Sequence, residues 1–176
     1  MVLLIGAAAW LLAGCHTASR QAAGPLPETE QVVSEELKEM YMAASAAPRQ
    51  SPEQQRLFLR MAQKAANGKE VLLVMRATQG VYTGSAGAAN SVENQVVSLT
   101  TNKIMQCGTL EQLVDYARLY SVDRGHAHAY LQRMFVLGTG SEDPRVWYEI
   151  RSVAFRLKEA ELEQQALAKA TQLSSR

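Results

Sequence analysis

Helix-start signals recur along this chain, and no other feature constrains its fold as strongly. A Ser, Thr or Asp stands immediately before an apolar-periodic segment at Ser51, Ser91, Thr109, Asp123 and Asp143. Short side chains of this kind accept hydrogen bonds from the backbone N–H groups that a helix leaves unpaired at its start. Pro52 and Pro144 strengthen two of these signals, because proline is favoured at the first helical position. We therefore predict an all-α fold: a compact irregular bundle, or a short helix-hairpin array, of about six to seven helices.

Apolar residues inside the predicted helices follow helical spacing. In the segment 28–47 they form one stripe: Val33, Leu37, Met40, Tyr41 and Ala44. The last segment begins at Asp143-Pro144, and we expect one long helix from there to about Gln172. Past Leu157 its apolar stripe thins among Glu, Gln and Lys. We therefore expect the final turns either to fray or to meet a partner.

The segment 69–82 is ambiguous, because residues 71–75 form an unbroken apolar block. A short block of this kind fits a buried helix or a strand. We favour a helix, since Val71, Val74, Met75 and Thr78 share a helical face and no second strand-like run offers a pairing partner. The segment 83–90 consists mostly of small residues and predicts a loop.

The N-terminal segment is apolar and carries no charge. Residues 2–14 contain no Asp, Glu, Lys or Arg and lead into Leu12-Ala13-Gly14-Cys15. As a helix this run would reach roughly 20 Å, which is short of the ~30 Å hydrocarbon core of a bilayer. Its length is instead typical of the apolar core of a secretory signal, and the small residues Ala13 and Gly14 suit the narrow subsites of a signal peptidase.

The tetrapeptide Leu12-Ala13-Gly14-Cys15 resembles the lipobox of bacterial lipoprotein precursors. In that family the cysteine sulfur receives a diacylglyceryl group, signal peptidase II cleaves before the cysteine, and the new amine is acylated. The resemblance implies a signal peptide at 1–14, a lipidated Cys15 and no cofactor other than these covalent chains. His16 replaces the Asp that commonly retains such proteins at the inner membrane, which implies an outer-membrane anchor facing the periplasm.

Two other interpretations of the N-terminal segment remain open. It could be the buried first helix of a cytosolic domain, or an uncleaved anchor. The lipoprotein interpretation has one departure from its pattern, because no Lys or Arg precedes Cys15, whereas secretory signals normally begin with a basic segment. A translation start upstream of Met1 would supply that segment.

Composition limits the remaining classes of function. The segment 15–27 is small and polar and predicts a flexible lipidated tether, after which 28–176 forms the helical domain. A formal net charge of +1 with both signs interspersed gives no basic face, so we expect no nucleic-acid binding. Cys15 and Cys107 are the two cysteines, and lipidation of the first excludes a disulfide scaffold.

Residues that could carry catalysis or bind metal have simpler interpretations. Cys107 could be a nucleophile with His126 or His128 as its base, but a lone cysteine at a helix junction is more often a small buried hydrophobe. The two histidines are two positions apart, so on a helix they point about 200° apart and cannot face one metal ion. We therefore predict no metal site.

Carboxylate clusters offer a further catalytic alternative. They are Glu35-Glu36, Glu142-Asp143 and Glu159-Glu161-Glu163. Glycosidases use two carboxyl groups across a cleft, but these clusters fall in first helical turns or on polar faces. We interpret them as solvated, and we predict no catalytic residues.

Aromatic residues in the C-terminal half are the best candidates for binding a partner, since Tyr and Trp are enriched at protein interfaces. The candidate partner-binding residues are Tyr116, Tyr120, Trp147 and Tyr148. We expect an outer-membrane-anchored periplasmic lipoprotein, not an enzyme, that assembles, stabilises or scaffolds an envelope machine for secretion, conjugation, pilus assembly or polysaccharide export. The alternatives are a lipid-anchored periplasmic enzyme acting on cell wall or glycan, and an immunity or exclusion lipoprotein.

Overall fold

Every regular element in the described part of the chain is helical. The structure is a computed structural model, and it describes residues 28–79, 81, 91–120 and 122–176. Short 3₁₀ helices lie at Glu28–Glu30 and Arg124–His126. The α-helices of this part are α1 Glu35–Ala46, α2 Pro52–Lys64, α3 Gly68–Thr78, α4 Val92–Cys107, α5 Leu110–Leu119, α6 Ala127–Gly138, α7 Pro144–Leu157 and α8 Ala160–Ser174. The prediction of an all-α bundle is confirmed.

Each predicted start signal caps a helix. The side-chain oxygens of Ser51, Ser91 and Thr109 accept hydrogen bonds from the backbone N–H three positions later, at 3.1, 3.2 and 3.3 Å. The Asp143 carboxylate accepts from the N–H of Arg145 at 2.9 Å. Asp123 caps the 3₁₀ helix that leads into α6. Each such cap contributes about 1 kcal/mol, so local sequence determines where these helices begin.

The prediction that the ambiguous segment 69–82 is helical is confirmed as far as Thr78, where α3 ends, and residues 80 and 82 lie outside the described residues. Its buried face contains Val71, Val74, Met75 and Thr78, as expected. Asn67 caps this helix by accepting from the N–H of Glu70 at 3.1 Å. Asn67-Gly68 therefore belongs to the start of α3, because α2 already ends at Lys64.

The start of α1 differs from expectation because a tertiary contact overrides the local signals. α1 begins at Glu35 rather than near residue 28, and the buried Glu70 carboxylate accepts the N–H of Ser34 at 2.9 Å. α4 extends to Cys107, and Ile104 in its last turn is fully buried. The predicted signal peptide 1–14, the lipidation site Cys15, the tether 15–27 and the loop 83–90 lie outside the described residues.

The last predicted helix is two helices, so the prediction of one helix to Gln172 is wrong. Lys158 adopts a left-handed conformation at φ 62° and ends α7. The N–H of Glu159 then donates to the Ala154 carbonyl at 3.0 Å, and that of Lys158 to the Phe155 carbonyl at 3.2 Å. These two bonds form a Schellman motif, which satisfies the last carbonyls of α7 without a glycine.

Helix α8 folds back on α7 instead of fraying. Its buried residues are Leu162, Ala166 and Ala170, spaced four apart on one face. Two of them are alanines, whose small side chains let the two helices approach closely. The Arg151 Nε atom of α7 also lies 3.3 Å from the Glu163 Oε1 atom of α8. No helix in the described ranges is long and apolar enough to cross a membrane.

Tyrosine hydroxyls organise the polar contacts inside the core. The Tyr116 hydroxyl of α5 lies 2.9 Å from Thr100 Oγ1 and 3.1 Å from Thr101 Oγ1 of α4. The Tyr130 hydroxyl of α6 donates to the Leu113 carbonyl at 2.6 Å. Both tyrosines are fully buried, and every hydroxyl has a partner, so α4, α5 and α6 are held in one register.

Candidate functional site

A cavity of about 410 Å³ lies where the chain turns from α7 to α8, and we name it the elbow cavity. Three cationic side chains line it, together with one carboxylate and one phenol: Arg124, Arg156, Lys158, Glu159 and Tyr120. The rest of the lining is apolar and comes from Ala117, Val122, Ala127 and Leu157. This volume falls within the range of about 300–1,000 Å³ that small-molecule sites occupy.

Separate elements bring the three cations to the elbow cavity. Arg124 belongs to the 3₁₀ helix that Asp123 caps through the N–H of Gly125, at 2.9 Å. Arg156 lies in the last turn of α7, and its Nη1 atom donates to the Arg118 carbonyl at 2.9 Å. Lys158 is the left-handed residue that ends α7. The cavity therefore exists only because α7 stops at Leu157.

The elbow cavity carries an excess of positive charge. Among the described side chains, no carboxylate lies within 4.0 Å of the cationic nitrogens of Arg124, Arg156 or Lys158. The one lining carboxylate, Glu159, is held by His128, whose Nδ1 atom lies 3.0 Å from Glu159 Oε2. Three cations thus share the cavity with a single, already bonded carboxylate.

The contacts of His128 define its tautomer. The Gln132 Nε2 atom lies 2.9 Å from His128 Nε2, and an amide nitrogen can only donate. In this pairing the His128 Nε2 atom accepts, and Nδ1 donates to Glu159. This chain of two hydrogen bonds orients the Glu159 carboxylate at the edge of the elbow cavity.

Tyr120, one of the predicted partner-binding residues, lines the elbow cavity. Its ring packs edge-on against Tyr116, with 5.7 Å between the centroids. Burial raises the pKa of the Tyr120 phenol, while a hydrogen bond and the charge of Arg76 act in the opposite direction. The phenol therefore stays protonated at neutral pH and can donate or accept a hydrogen bond.

Tyr148, a second predicted partner-binding residue, lies on an exposed face of α7. Tyr148 and Phe155 are 43% and 68% exposed. With Ser152 they form what we name the α7 aromatic face, which lines a shallow hollow of about 270 Å³. Arg151 and Glu163 also line that hollow, and they neutralise each other as an ion pair.

The other two predicted partner-binding residues lie in the core. Tyr116 is fully buried and Trp147 is 4% exposed. The Trp147 ring packs edge-on against Phe135, with 5.4 Å between the centroids, and its Nε1 atom donates to the Ser141 carbonyl at 3.3 Å. Neither side chain is accessible to a partner in this structure, because each lies on the buried stripe of its helix. Their role is to stabilise the core.

The structure places the candidate nucleophile and bases in separate environments. The Cys107 Sγ atom donates to the Lys103 carbonyl at 3.0 Å, and burial raises the pKa of the thiol. The His126 Nδ1 atom lies 3.2 Å from Asp123 Oδ2, whereas His128 contacts Glu159. No contact joins Cys107 to either imidazole in the described part of the chain.

Three of the other candidate acidic residues form ion pairs with basic side chains. Glu35 pairs with Lys38, Asp143 pairs with Arg145, and Glu163 pairs with Arg151. The Arg145 hydrogen bonds lower the pKa of Asp143. Within the residues that the structure describes, no group of three or more His, Cys, Asp or Glu is arranged to hold a metal ion.

Sequence reasoning missed the elbow cavity and Phe155. The cations Arg124, Arg156 and Lys158 follow no local pattern, and they meet only when the end of α7 packs beside α5 and the 3₁₀ helix. Phe155 did have a signal, because it lies seven positions after Tyr148, on the side of α7 opposite the buried Ile150 and Val153. A helical-wheel comparison of these residues would have identified the exposed aromatic pair.

Comparisons of the chain with protein-family models, curated proteins and solved structures found no match. Its function therefore has to be inferred from its own residues and contacts.

Proposed function

We propose that this protein is a lipoprotein of the bacterial envelope, anchored through Cys15 in the outer membrane on its periplasmic side. Residues 1–14 would be removed as a signal peptide, and 15–27 would tether the helical domain to the bilayer. One acyl chain holds a protein only marginally, whereas two or three hold it durably. The resemblance of Leu12-Ala13-Gly14-Cys15 to a lipobox supports this anchor.

The helical domain acts in this proposal as an assembly or scaffold component that binds another envelope protein. The observation that carries this part is the α7 aromatic face. Tyr148 and Phe155 expose large rings on a helix whose opposite side, at Ile150 and Val153, is buried in the core. The face is thus preorganised, which lowers the entropic cost of binding.

The hollow of the α7 aromatic face suits one apolar side chain of a partner. Its volume is about 270 Å³, and two aromatic rings flank it. At an interface hot spot, an apolar side chain of one protein anchors in a pocket of the other, and a polar rim surrounds the pocket. The ion pair of Arg151 with Glu163 supplies the rim without leaving a net charge. The proposed partner therefore presents an amphipathic helix with one large apolar anchor.

The anchor is tested by replacing Cys15. We expect Cys15→Ala to leave the precursor uncleaved or the protein unanchored, as shown by mass spectrometry of the N-terminus and by membrane fractionation. The lipid assignment is wrong if this variant matures and fractionates with membranes like the original protein.

The binding face is tested by co-purification of the anchored protein and its variants after cross-linking in cells. Phe155→Asp should abolish the recovery of one stoichiometric envelope protein. Val136→Asp is a matched control, because Val136 is 65% exposed but lies on α6. Equal recovery with both variants would refute binding through the α7 aromatic face.

A further inference from the structure

We infer that the elbow cavity binds a small organic anion, one that carries a phosphate or carboxylate group on an apolar body. This inference concerns a surface different from the α7 aromatic face and does not depend on Cys15.

The charge of the lining favours an anion. Arg124, Arg156 and Lys158 line one cavity, and no described carboxylate lies within 4.0 Å of their cationic nitrogens. Like charges brought together without a counter-ion repel each other, and a bound anion relieves that repulsion. Arginine guanidinium groups present forked donors that match phosphate and carboxylate oxygens.

The carboxylates next to Lys158 and Arg124 in the sequence already have hydrogen-bonding or ionic contacts. Glu159 contacts His128 Nδ1 at 3.0 Å. Asp123 accepts the N–H of Gly125 at 2.9 Å and lies 3.2 Å from His126 Nδ1. Arg124, Lys158 and the guanidinium N–H groups of Arg156 that do not bond the Arg118 carbonyl are therefore available to a ligand.

The apolar lining indicates an organic body. The cavity volume of about 410 Å³ is larger than inorganic phosphate requires. Ala117, Val122 and Leu157 provide an apolar wall, and the protonated Tyr120 phenol adds a neutral hydrogen-bonding group. A ligand that combines an anionic group with an apolar body fills both parts of the cavity.

The conformation of Lys158 independently supports a binding role. Its φ of 62° is left-handed, a region where glycine is usual at the end of a helix. A side chain is disfavoured there, yet the chain has a lysine at this position, and that lysine lines the cavity. Disfavoured backbone of this kind concentrates at ligand sites.

The experiment is isothermal titration of the full chain, purified in a non-ionic detergent, with phenyl phosphate and with benzoate. We expect saturable binding of at least one of them. Inorganic phosphate, which lacks the apolar body, and phenol, which lacks the anionic group, should each bind about tenfold more weakly or not at all. Failure of both phenyl phosphate and benzoate to bind would overturn the inference.

Variants locate the binding site. Arg156→Gln and Lys158→Gly should each weaken binding about tenfold, because each removes a charge-assisted contact. Lys158→Gly also keeps the fold, since glycine accepts the left-handed conformation. Arg60→Gln is the matched control, because Arg60 is an exposed cation on α2 with a side chain 64% accessible. Equal affinities for all these proteins would place the anion elsewhere and refute the inference.

Two sources could present the same anionic chemistry: a free metabolite and a lipid headgroup. Short-chain dihexanoyl-phosphatidylglycerol distinguishes them when it is titrated in place of phenyl phosphate. Tighter binding that is lost with Arg156→Gln supports a lipid headgroup, and weaker binding supports a free anion. Binding of an acidic protein segment in the cavity, when neither small anion binds there, would contradict the inference.

Discussion

Gln31 and Gln112 exchange two side-chain amide hydrogen bonds, although 81 positions separate them in the sequence. Gln112 Nε2 donates to Gln31 Oε1 at 2.9 Å, and Gln31 Nε2 donates to Gln112 Oε1 at 3.3 Å. Both side chains are buried, at 3% and 1% exposed. The same oxygens also accept the backbone N–H groups of Lys69 and Thr109, each at 3.0 Å. One amide pair therefore joins the residues before α1 to the starts of α3 and α5.

Gly68 is the residue that makes room for this pair. A β-carbon at position 68 would lie 1.8 Å from Gln112 Oε1. We expect Gly68→Ala to destabilise the protein by about 2–3 kcal/mol, since overpacking costs about 1–3 kcal/mol and the buried amide pair is also disturbed. Urea unfolding followed by circular dichroism measures this difference.

The control for position 68 is Gly140→Ala, because no atom lies within 4 Å of a β-carbon there. That change should alter stability by less than about 0.5 kcal/mol. Alanine normally stabilises a helix relative to glycine by about 1 kcal/mol, so a stabilising Gly68→Ala would refute the steric argument.

The protein should be more stable with glycine than with lysine at position 158. The left-handed conformation costs a side-chain-bearing residue about 1–2 kcal/mol, whereas glycine adds about 0.5–1 kcal/mol of unfolded-state entropy. We expect Lys158→Gly to raise the free energy of unfolding by about 0.5–1 kcal/mol, and Lys158→Ala to raise it little. A glycine variant less stable than the alanine variant in urea unfolding would show that the α7 end is not left-handed.

Local interactions explain which parts of this fold could be predicted. The Ser51 hydroxyl and the N–H of Gln54 are three positions apart, so sequence alone brings them together. The start of α1 depends instead on the contact of Ser34 with the distant Glu70. The Schellman end at Lys158 lacks the glycine that normally signals it, and this hid the boundary between α7 and α8.

The candidate site was less predictable than the fold, because it depends on contacts between residues that are far apart in the sequence. Tyr120 and Tyr148 were identified by residue type, and both remain accessible. Residue type could not separate them from Tyr116 and Trp147, which lie on buried stripes. The elbow cavity depends on long-range packing: Arg156 reaches the Arg118 carbonyl of α5, and Lys158 lies at a helix end that local patterns did not reveal.

Stability should fall at alkaline pH because of Tyr130. Burial raises its pKa well above the ordinary value of 10.0, and its hydroxyl donates to the Leu113 carbonyl at 2.6 Å. The folded state therefore keeps the proton while the unfolded state loses it above about pH 10. The contribution of this tyrosine is complete below the unfolded pKa and is lost as pH rises towards the folded pKa.

Tyr130→Phe tests this linkage. The variant should lose about 1 kcal/mol at neutral pH through the missing hydrogen bond, and its stability should decline less between about pH 9 and pH 11. Urea midpoints measured across this range provide the comparison. Tyr148→Phe is the control, because Tyr148 is exposed and should leave the alkaline decline unchanged. Parallel declines for Tyr130→Phe and the original protein would contradict the assignment.

The packing of α8 on α7 predicts that leucine substitutions at two nearby alanines change stability by very different amounts. Ala166 is fully buried, whereas Ala168 on the same helix is exposed. Ala166→Leu should destabilise the protein by about 1–3 kcal/mol, because three extra heavy atoms must fit between two closely packed helices. Ala168→Leu adds the same atoms towards solvent and should change stability by less than about 0.5 kcal/mol. Urea unfolding and amide hydrogen exchange of α8 measure the contrast, and equal effects would mean that the final helix does not dock on α7.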